Sequence, residues 1–301
     1  MTAWRSPLVA EWERRGTYRQ LAGHRTFTID VPAAGEETLE PLLVLHGFPT
    51  SSFDLHAVVD DLAAHRRVLL LDMIGYGLSA KPDAPYTLAL QADVVQAFVA
   101  EVGVARLALL THDLGDTVGG ELLARHLEGT WPVEVTRRVI TNGSIYIEMA
   151  HLSVGQQMLL ALPDERLPAE AGIDGPAMTA SLAATFSPRS PVDDEGLEAA
   201  WEMISHDEGH RLLARTIRYI EERRRSQGRF TGAIERHPSP LSIVWGTDDP
   251  IAVAPMADRL REARPDARLT WLEGVGHYPM LEAPAPFLAA VTVGLDEAVT
   301  A

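Results

Sequence analysis

Three polar positions stand out by residue type, order and surroundings: Asp113, the Asp248-Asp249 pair and His277. The most informative stretch is Leu107-Ala108-Leu109-Leu110-Thr111-His112-Asp113-Leu114-Gly115-Asp116. Its four consecutive apolar residues, short polar step and subsequent amphipathic run (Val118, Leu122, Leu123) predict a buried strand turning sharply into a helix. Such a turn lifts one side chain to the end of the sheet beside the next backbone N–H groups, the geometry of a nucleophile elbow. The lifted residue here is Asp113. A carboxylate is already ionised at neutral pH and attacks carbon without a base, but the ester it forms must then be hydrolysed. That step calls for a histidine, a second acid and donors for an oxyanion. His277 and the Asp248-Asp249 pair also come just after strand ends, where parallel sheets carry their ligand crevices. An Asp at such a place would by itself read as a helix N-cap; the accompanying histidine and acid favour catalysis.

The elements that must position these groups are legible along the chain of 301 residues. A short helix within residues 7–22 leads into a strand, Thr17 to Leu21, with a hairpin partner from His24 to Val31. Leu42-Leu43-Val44-Leu45 is a buried strand running into His46-Gly47-Phe48-Pro49, and Ser51 or Ser52 can cap the next helix. Arg67 to Asp72 is another strand. Gly75 and Gly77 in the loop after it are read as positions of positive φ. Leu88 to Val102 has helical spacing, and Val135 to Thr141 is a further strand. Alternating strand and helix implies a parallel sheet with right-handed crossovers. From Asn142 to His237 the pattern turns helical, broken by Pro163, Pro168, Gly172, Gly175, Pro188 and Pro191. This predicts an inserted helical cap at 142–237 on a core made of 1–141 and 238–301. Strands at Leu241 to Trp245 and Arg268 to Leu272 resume the alternation, with helices at Val253 to Ala263 and Pro284 to Ala298.

Composition narrows the function classes. The net charge of -16 argues against a nucleic-acid partner, since phosphate binding wants a basic face. No apolar run approaches the ~20 residues of a membrane span, so no membrane partner is expected. The start, Met1-Thr2-Ala3-Trp4-Arg5-Ser6, has no apolar signal region. The absence of cysteine excludes disulfides and Cys-ligated metal and fits a cytoplasmic protein. No cofactor or metal is expected, and oligomeric state, a homodimer included, is left open.

His46-Gly47-Phe48-Pro49, Gly75-Tyr76-Gly77-Leu78-Ser79, His112-Asp113-Leu114-Gly115, Gly246-Thr247-Asp248-Asp249-Pro250 and Gly276-His277-Tyr278-Pro279 together resemble the motif set of the epoxide hydrolase and haloalkane dehalogenase branch of the α/β-hydrolase superfamily. The order nucleophile, acid, histidine is that of the superfamily's triad. More narrowly, His112 to Val118 and Tyr219-Ile220 are similar to the mesoderm-specific transcript proteins. The resemblance implies that Asp113 forms an ester with substrate carbon and that His277 takes a proton from the water that hydrolyses it. It further implies that Asp249, rather than Asp248, orients the imidazole, and that the N–H groups of Phe48 and Leu114 hold the oxyanion.

The same resemblance guides the substrate reading. Haloalkane dehalogenases surround the leaving halide with donors, commonly a Trp directly after the nucleophile; Leu114 and Phe48 carry no side-chain donor, leaving Trp201 as the cap's candidate. Epoxide hydrolases protonate the departing oxygen with cap tyrosines. Tyr219 occupies a similar position, with Tyr146 the other tyrosine between Asn142 and His237. His46 is placed with Tyr219, Tyr146 and Trp201 among the substrate-facing groups. The expectation is a cofactor-independent, epoxide hydrolase-like enzyme acting on a small apolar organic substrate and water. Carbon–halogen hydrolysis is the alternative, and a non-catalytic small-ligand receptor the alternative from another class.

Two further patterns are set aside. His206-Asp207-Glu208-Gly209-His210 mimics a zinc-protease helix, but Asp207 stands where that motif has Glu and no third ligand comes after it. Glu221-Glu222-Arg223-Arg224-Arg225 reads as a solvated helical face.

Overall fold

A computed structural model describes residues 4–171, 173–190 and 193–296. Met1–Ala3, the cap breakers Gly172 and Pro191, and the end of the expected closing helix at Ala298 lie outside the described residues. The chain opens with α1 (Pro7–Arg15), capped by Ser6, and the hairpin β1 (Gly16–Leu21) and β2 (His24–Val31). After these come β3 (Leu42–Leu45), the short α2 (Val59–Leu62), β4 (Val68–Leu71), α3 (Leu88–Glu101), β5 (Arg106–His112), α4 (Leu114–Leu127) and β6 (Glu134–Thr141). Next are α5 (Val154–Ala161), α6 (Gly175–Ala183), α7 (Asp194–Ser205), α8 (Leu213–Thr216) and α9 (Tyr219–Arg236). The chain closes with β7 (Leu241–Gly246), α10 (Pro255–Ala263), β8 (Arg268–Leu272), α11 (Pro279–Glu282) and α12 (Pro284–Asp296).

The eight strands form one sheet in the order β1-β2-β4-β3-β5-β6-β7-β8. β1 and β2 pair antiparallel, as do β2 and β4, and every pair from β4 to β8 is parallel. Strands covered on both faces should be apolar throughout, and β3, β4 and β7 are buried at every residue. Because β3, β5, β6, β7 and β8 run the same way, the loops after all five open at one end of the sheet. Among the described residues, the segment between β6 and β7 contains helices and no strand, the α/β-hydrolase architecture expected. Gly75 and Gly77 have φ of 95° and 49°.

The boundary between core and insertion is less clean than a cut at 142–237. α9 lies along the core helix α4: the Arg223 guanidinium donates to Thr117 Oγ1 at 2.7 Å, and Arg229 pairs with Glu121 and Glu128. A Cβ added at Gly120 would stand 2.8 Å from the Phe230 carbonyl oxygen, so the two backbones touch there. Near its middle α9 is broken at Ser226 (φ −128°).

Candidate active site

Asp113 sits in the tight turn between β5 and α4 with φ 47° and ψ −109°, a conformation that costs a non-glycine residue about 1–3 kcal/mol. The neighbouring glycines make room for it. A Cβ at Gly115 would stand 2.3 Å from the Leu45 carbonyl oxygen, and one at Gly47 would stand 3.0 Å from the Asp113 Cβ. The ends of β3 and β5 can therefore close on each other. The Phe48 N–H, just after β3, donates to Asp113 Oδ2 at 2.9 Å. Leu114 opens α4, so its N–H is one of the first-turn donors that the helix leaves unpaired, and the helix dipole favours an anion at this end.

His277 lies just after β8 and Asp249 just after β7. His277 Nδ1 donates to Asp249 Oδ2 at 2.8 Å. The same carboxylate accepts the Ile251 and Ala252 N–H groups at 2.7 and 3.0 Å on Oδ1, and the Asn142 amide at 2.8 Å on Oδ2. Four donors on a buried side chain fix Asp249 as an acceptor. The hydrogen bond from His277 Nδ1 leaves Nε2 as the nitrogen available for proton transfer. Burial pushes His277 down, but the Asp249 charge and hydrogen bond, reinforced by Asp113, outweigh it and hold the imidazole at about 9. Asp248 turns the other way: Arg189 Nη2 contacts both its oxygens at 2.8 Å, and Ser187 Oγ donates at 2.8 Å. Those partners hold its carboxyl below the usual range.

The remaining substrate-facing expectations divide. Tyr219, at the start of α9, is buried with its ring 5.7 Å from that of Phe48 and the Arg223 guanidinium 5.0 Å from its ring centre. Its hydroxyl has no hydrogen bond to another described residue. Burial, then the Asp113 charge, pushes the phenol well above its usual range, so it keeps its proton. Tyr146 does not join it; its hydroxyl donates to Glu235 at 2.7 Å and Arg259 covers its ring at 3.9 Å. Trp201 lies elsewhere as well, beside Trp4 and Glu202 in a separate cavity, with its ring 5.7 Å from His210. His46 is buried with both nitrogens spent on backbone: Nε2 accepts the Met73 N–H at 3.0 Å and Nδ1 donates to the Gly47 carbonyl at 2.8 Å. It ties the ends of β3 and β4 together instead of facing a ligand.

The run of charges on α9 also needs correction. Arg224 and Arg225 are not buried, but Arg223 is. Besides Thr117, it donates to the Ser144 carbonyl at 2.9 Å and reaches the Asp113 carbonyl at 3.5 Å. Its signal in the sequence is a spacing of four from Tyr219, which puts both on one helical face. Asn142, which carries no such signal, comes directly after β6 with φ 46° and links Asp249 to the Gly246 N–H. His112, in sequence only a part of the elbow motif, has its own contact with the triad. Its Nε2 donates to the His277 carbonyl at 2.8 Å, and burial followed by the His277 charge lowers the ring to about 4. The His206–His210 segment is a tight turn with Asp207 and Glu208 at positive φ. Among the described residues no group of three or more His, Asp or Glu side chains could hold a metal ion.

A cavity of about 640 Å³ reaches Phe48 and His277 of this cluster, with Asp113 and Tyr219 not among the residues that line it. Phe48, Pro49, Ile251, His277 and Tyr278 form its core side; Leu159, Leu162, Leu167, Met178 and Leu182 of the insertion form the other. Its walls are mainly apolar, as small-molecule sites are.

A mostly parallel sheet with a nucleophile-type elbow, an acid and a histidine at successive strand ends defines a hydrolase scaffold. The chain belongs to the alpha/beta hydrolase family, whose model matches residues 42–290. It is 37% identical to the putative hydrolase LipZ of Mycobacterium tuberculosis, over 95% of this chain and 97% of that protein. It is 30% identical to the mesoderm-specific transcript protein of Mus musculus, over 95% of this chain and 87% of that one, in line with the narrower motif resemblance. The solved structure of epoxide hydrolase CorEH superposes with a TM-score of 0.69 at 16% identity, covering 93% of this chain and 97% of that one; at that identity it speaks for the fold. No helix among the described residues is long and apolar enough to cross a membrane.

Proposed function

We propose that this hydrolase works through an aspartyl ester, with Asp113 as nucleophile and epoxides on apolar carriers as the substrate class. The observation that carries the reading is the hydrogen bond from the Phe48 N–H to Asp113 Oδ2. It turns one carboxylate oxygen toward the oxyanion donors and frees the other to attack carbon. Attack opens the ring as the Tyr219 hydroxyl passes its proton to the departing oxygen, leaving a hydroxy ester and a phenolate. His277 then takes a proton from water, and the hydroxide adds to the ester carbonyl while the Phe48 and Leu114 N–H groups hold the oxyanion. Collapse expels the diol, which leaves with the proton from His277. The reformed Asp113 carboxyl returns its proton to Tyr219.

The charge balance supports this order. While Asp113 is anionic it helps keep His277 protonated; esterification removes that charge, so the imidazolium releases its proton to solvent and acts as base toward water, and it regains a proton from solvent once the Asp113 carboxylate is restored. A dehalogenase is less well served, because neither Leu114 nor Phe48 offers a side-chain donor and Trp201 is turned to another cavity. A ligand receptor would have no use for the His277–Asp249 pair.

The test is a single turnover in ¹⁸O-water with a styrene-type epoxide. Label should enter the Asp113 carboxylate, read by mass spectrometry of the peptide, and Asp113→Asn should abolish turnover. Diol formation with an unlabelled Asp113 would sink the reading.

A further inference from the structure

The mouth of the catalytic cavity carries an apolar stripe that nothing within the described chain covers. Val154, Met158 and Leu162 succeed one another at four-residue steps along α5 and its C-cap, so they share one face. They are 75%, 66% and 39% exposed, and among the described residues only Leu127 on α4 is a comparably open large apolar side chain. Met158 and Leu162 also line the cavity. The exposed stripe and the apolar walls near His277 are thus one continuous surface.

From this we infer that α5 is a docking face for a zwitterionic lipid surface, which the protein touches without crossing and from which an apolar substrate passes into the cavity. The proposal rests on the proposed function only in taking the cavity as the substrate's path. Continuity is the first argument: a surface that leads inward from an apolar phase lets a poorly soluble molecule move without crossing water. Area is the second. Three aliphatic side chains offer a few hundred Å², well short of the roughly 800 Å² per partner of a stable dimer, yet shallow insertion of one apolar helix face is enough for weak, reversible interfacial binding. Charge is the third. With a net charge of -16 the protein is repelled by anionic lipid, which recruits basic segments, so the matching surface is uncharged overall. The absence of a spanning segment does not bear on this, since lying on a membrane needs none.

The experiment is sedimentation of the full-length protein with phosphatidylcholine vesicles, and with vesicles enriched in phosphatidylglycerol. The wild type should pellet with the former and lose binding as phosphatidylglycerol is added. The double variant Val154→Glu/Met158→Glu should bind at least tenfold more weakly with an unchanged melting temperature, because both positions are exposed and Glu is tolerated in a first turn and a helix interior alike. Wild-type protein left in the supernatant, equal binding by the variant, or binding that grows with phosphatidylglycerol would each overturn the proposal. So would a dimer in sedimentation velocity that the variant abolishes, for then a second copy covers the stripe. Vesicle binding involves no turnover, so this outcome and that of the ¹⁸O experiment are independent.

Discussion

Phe48 donates its backbone N–H to Oδ2 of Asp113 at 2.9 Å, joining the loop after β3 to the turn after β5. The donor an oxyanion hole would use already holds the resting carboxylate. The carboxylate is therefore held in one orientation, and in the proposed mechanism the same N–H would stay in place when the ester carbonyl becomes tetrahedral.

Asp249→Asn should lower turnover about 10³–10⁴-fold, as expected when a histidine loses the acid that sets its tautomer. The sign of the stability effect is set by His277. Its folded value, about 9, lies above that of an unfolded histidine near 6.5. The stabilisation this supplies is complete below pH 6.5 and disappears as pH rises through 9. The Asp249→Asn variant loses much of it, so the gap in unfolding free energy between wild type and variant should be widest at pH 6 and narrow by pH 9. Denaturant titrations at the two pH values check this.

Tyr219→Phe isolates the ring-opening step. With epoxides the rate of ester formation should fall about 10²-fold or more, the usual yield of a positioned acid. Hydrolysis of an ester already formed should be little changed. Rapid-quench measurement of the two half-reactions distinguishes them, and equal losses in both would mean that Tyr219 only packs against Phe48.

Arg223→Met should lower stability by about 2–4 kcal/mol, because it strands the buried Thr117 hydroxyl and Ser144 carbonyl that the guanidinium satisfies. It should also cost at least tenfold in kcat, since Tyr219 loses the cation beside its ring. Arg223→Lys should restore neither, one ammonium being unable to span both acceptors. Thermal unfolding and steady-state kinetics on the pair test the prediction.

Asp54 provides a pH signature outside the triad. Burial pushes its carboxyl up to about 8, while Thr50 donates to Oδ2 at 2.5 Å. The folded protein keeps this proton between about pH 4 and 8 where the unfolded chain releases it, so its contribution is present below pH 4 and declines as pH rises toward 8. Asp54→Asn has no proton to lose. Its stability relative to wild type should therefore climb between pH 5 and 8, by up to roughly 1.4 kcal/mol per pH unit; a flat difference would contradict the assignment.

The fold is legible in the sequence because its signals are local. β3, β5 and β7 announce themselves as apolar runs ending in polar turns, and α3 by its spacing. The elbow is legible for the same reason, strand, Asp113 and Gly115 being adjacent. Features that depend on distant contacts are not. Arg223 looks like its solvent-facing neighbours Arg224 and Arg225 until α9 is laid on α4, and Asn142 acquires a role only when β7 brings Asp249 beside it. Tyr146 and Trp201 suggest themselves for the site as aromatic residues of the insertion, yet each is turned away by surroundings the sequence does not name, Glu235 for the first and the Trp4–Glu202 cavity for the second.

The break at Ser226 and the seam between α9 and α4 bear on how the insertion is anchored. Tyr219 and Arg223 sit on a helix fastened to the scaffold through Thr117, Glu121 and Gly120, so both side chains are placed by the core itself. The end of α5 is tied to the residue just before α9, because Arg218 donates to the Leu159 and Leu160 carbonyls at 3.3 and 3.0 Å, so the outer side of the cavity draws its support from the same clamp.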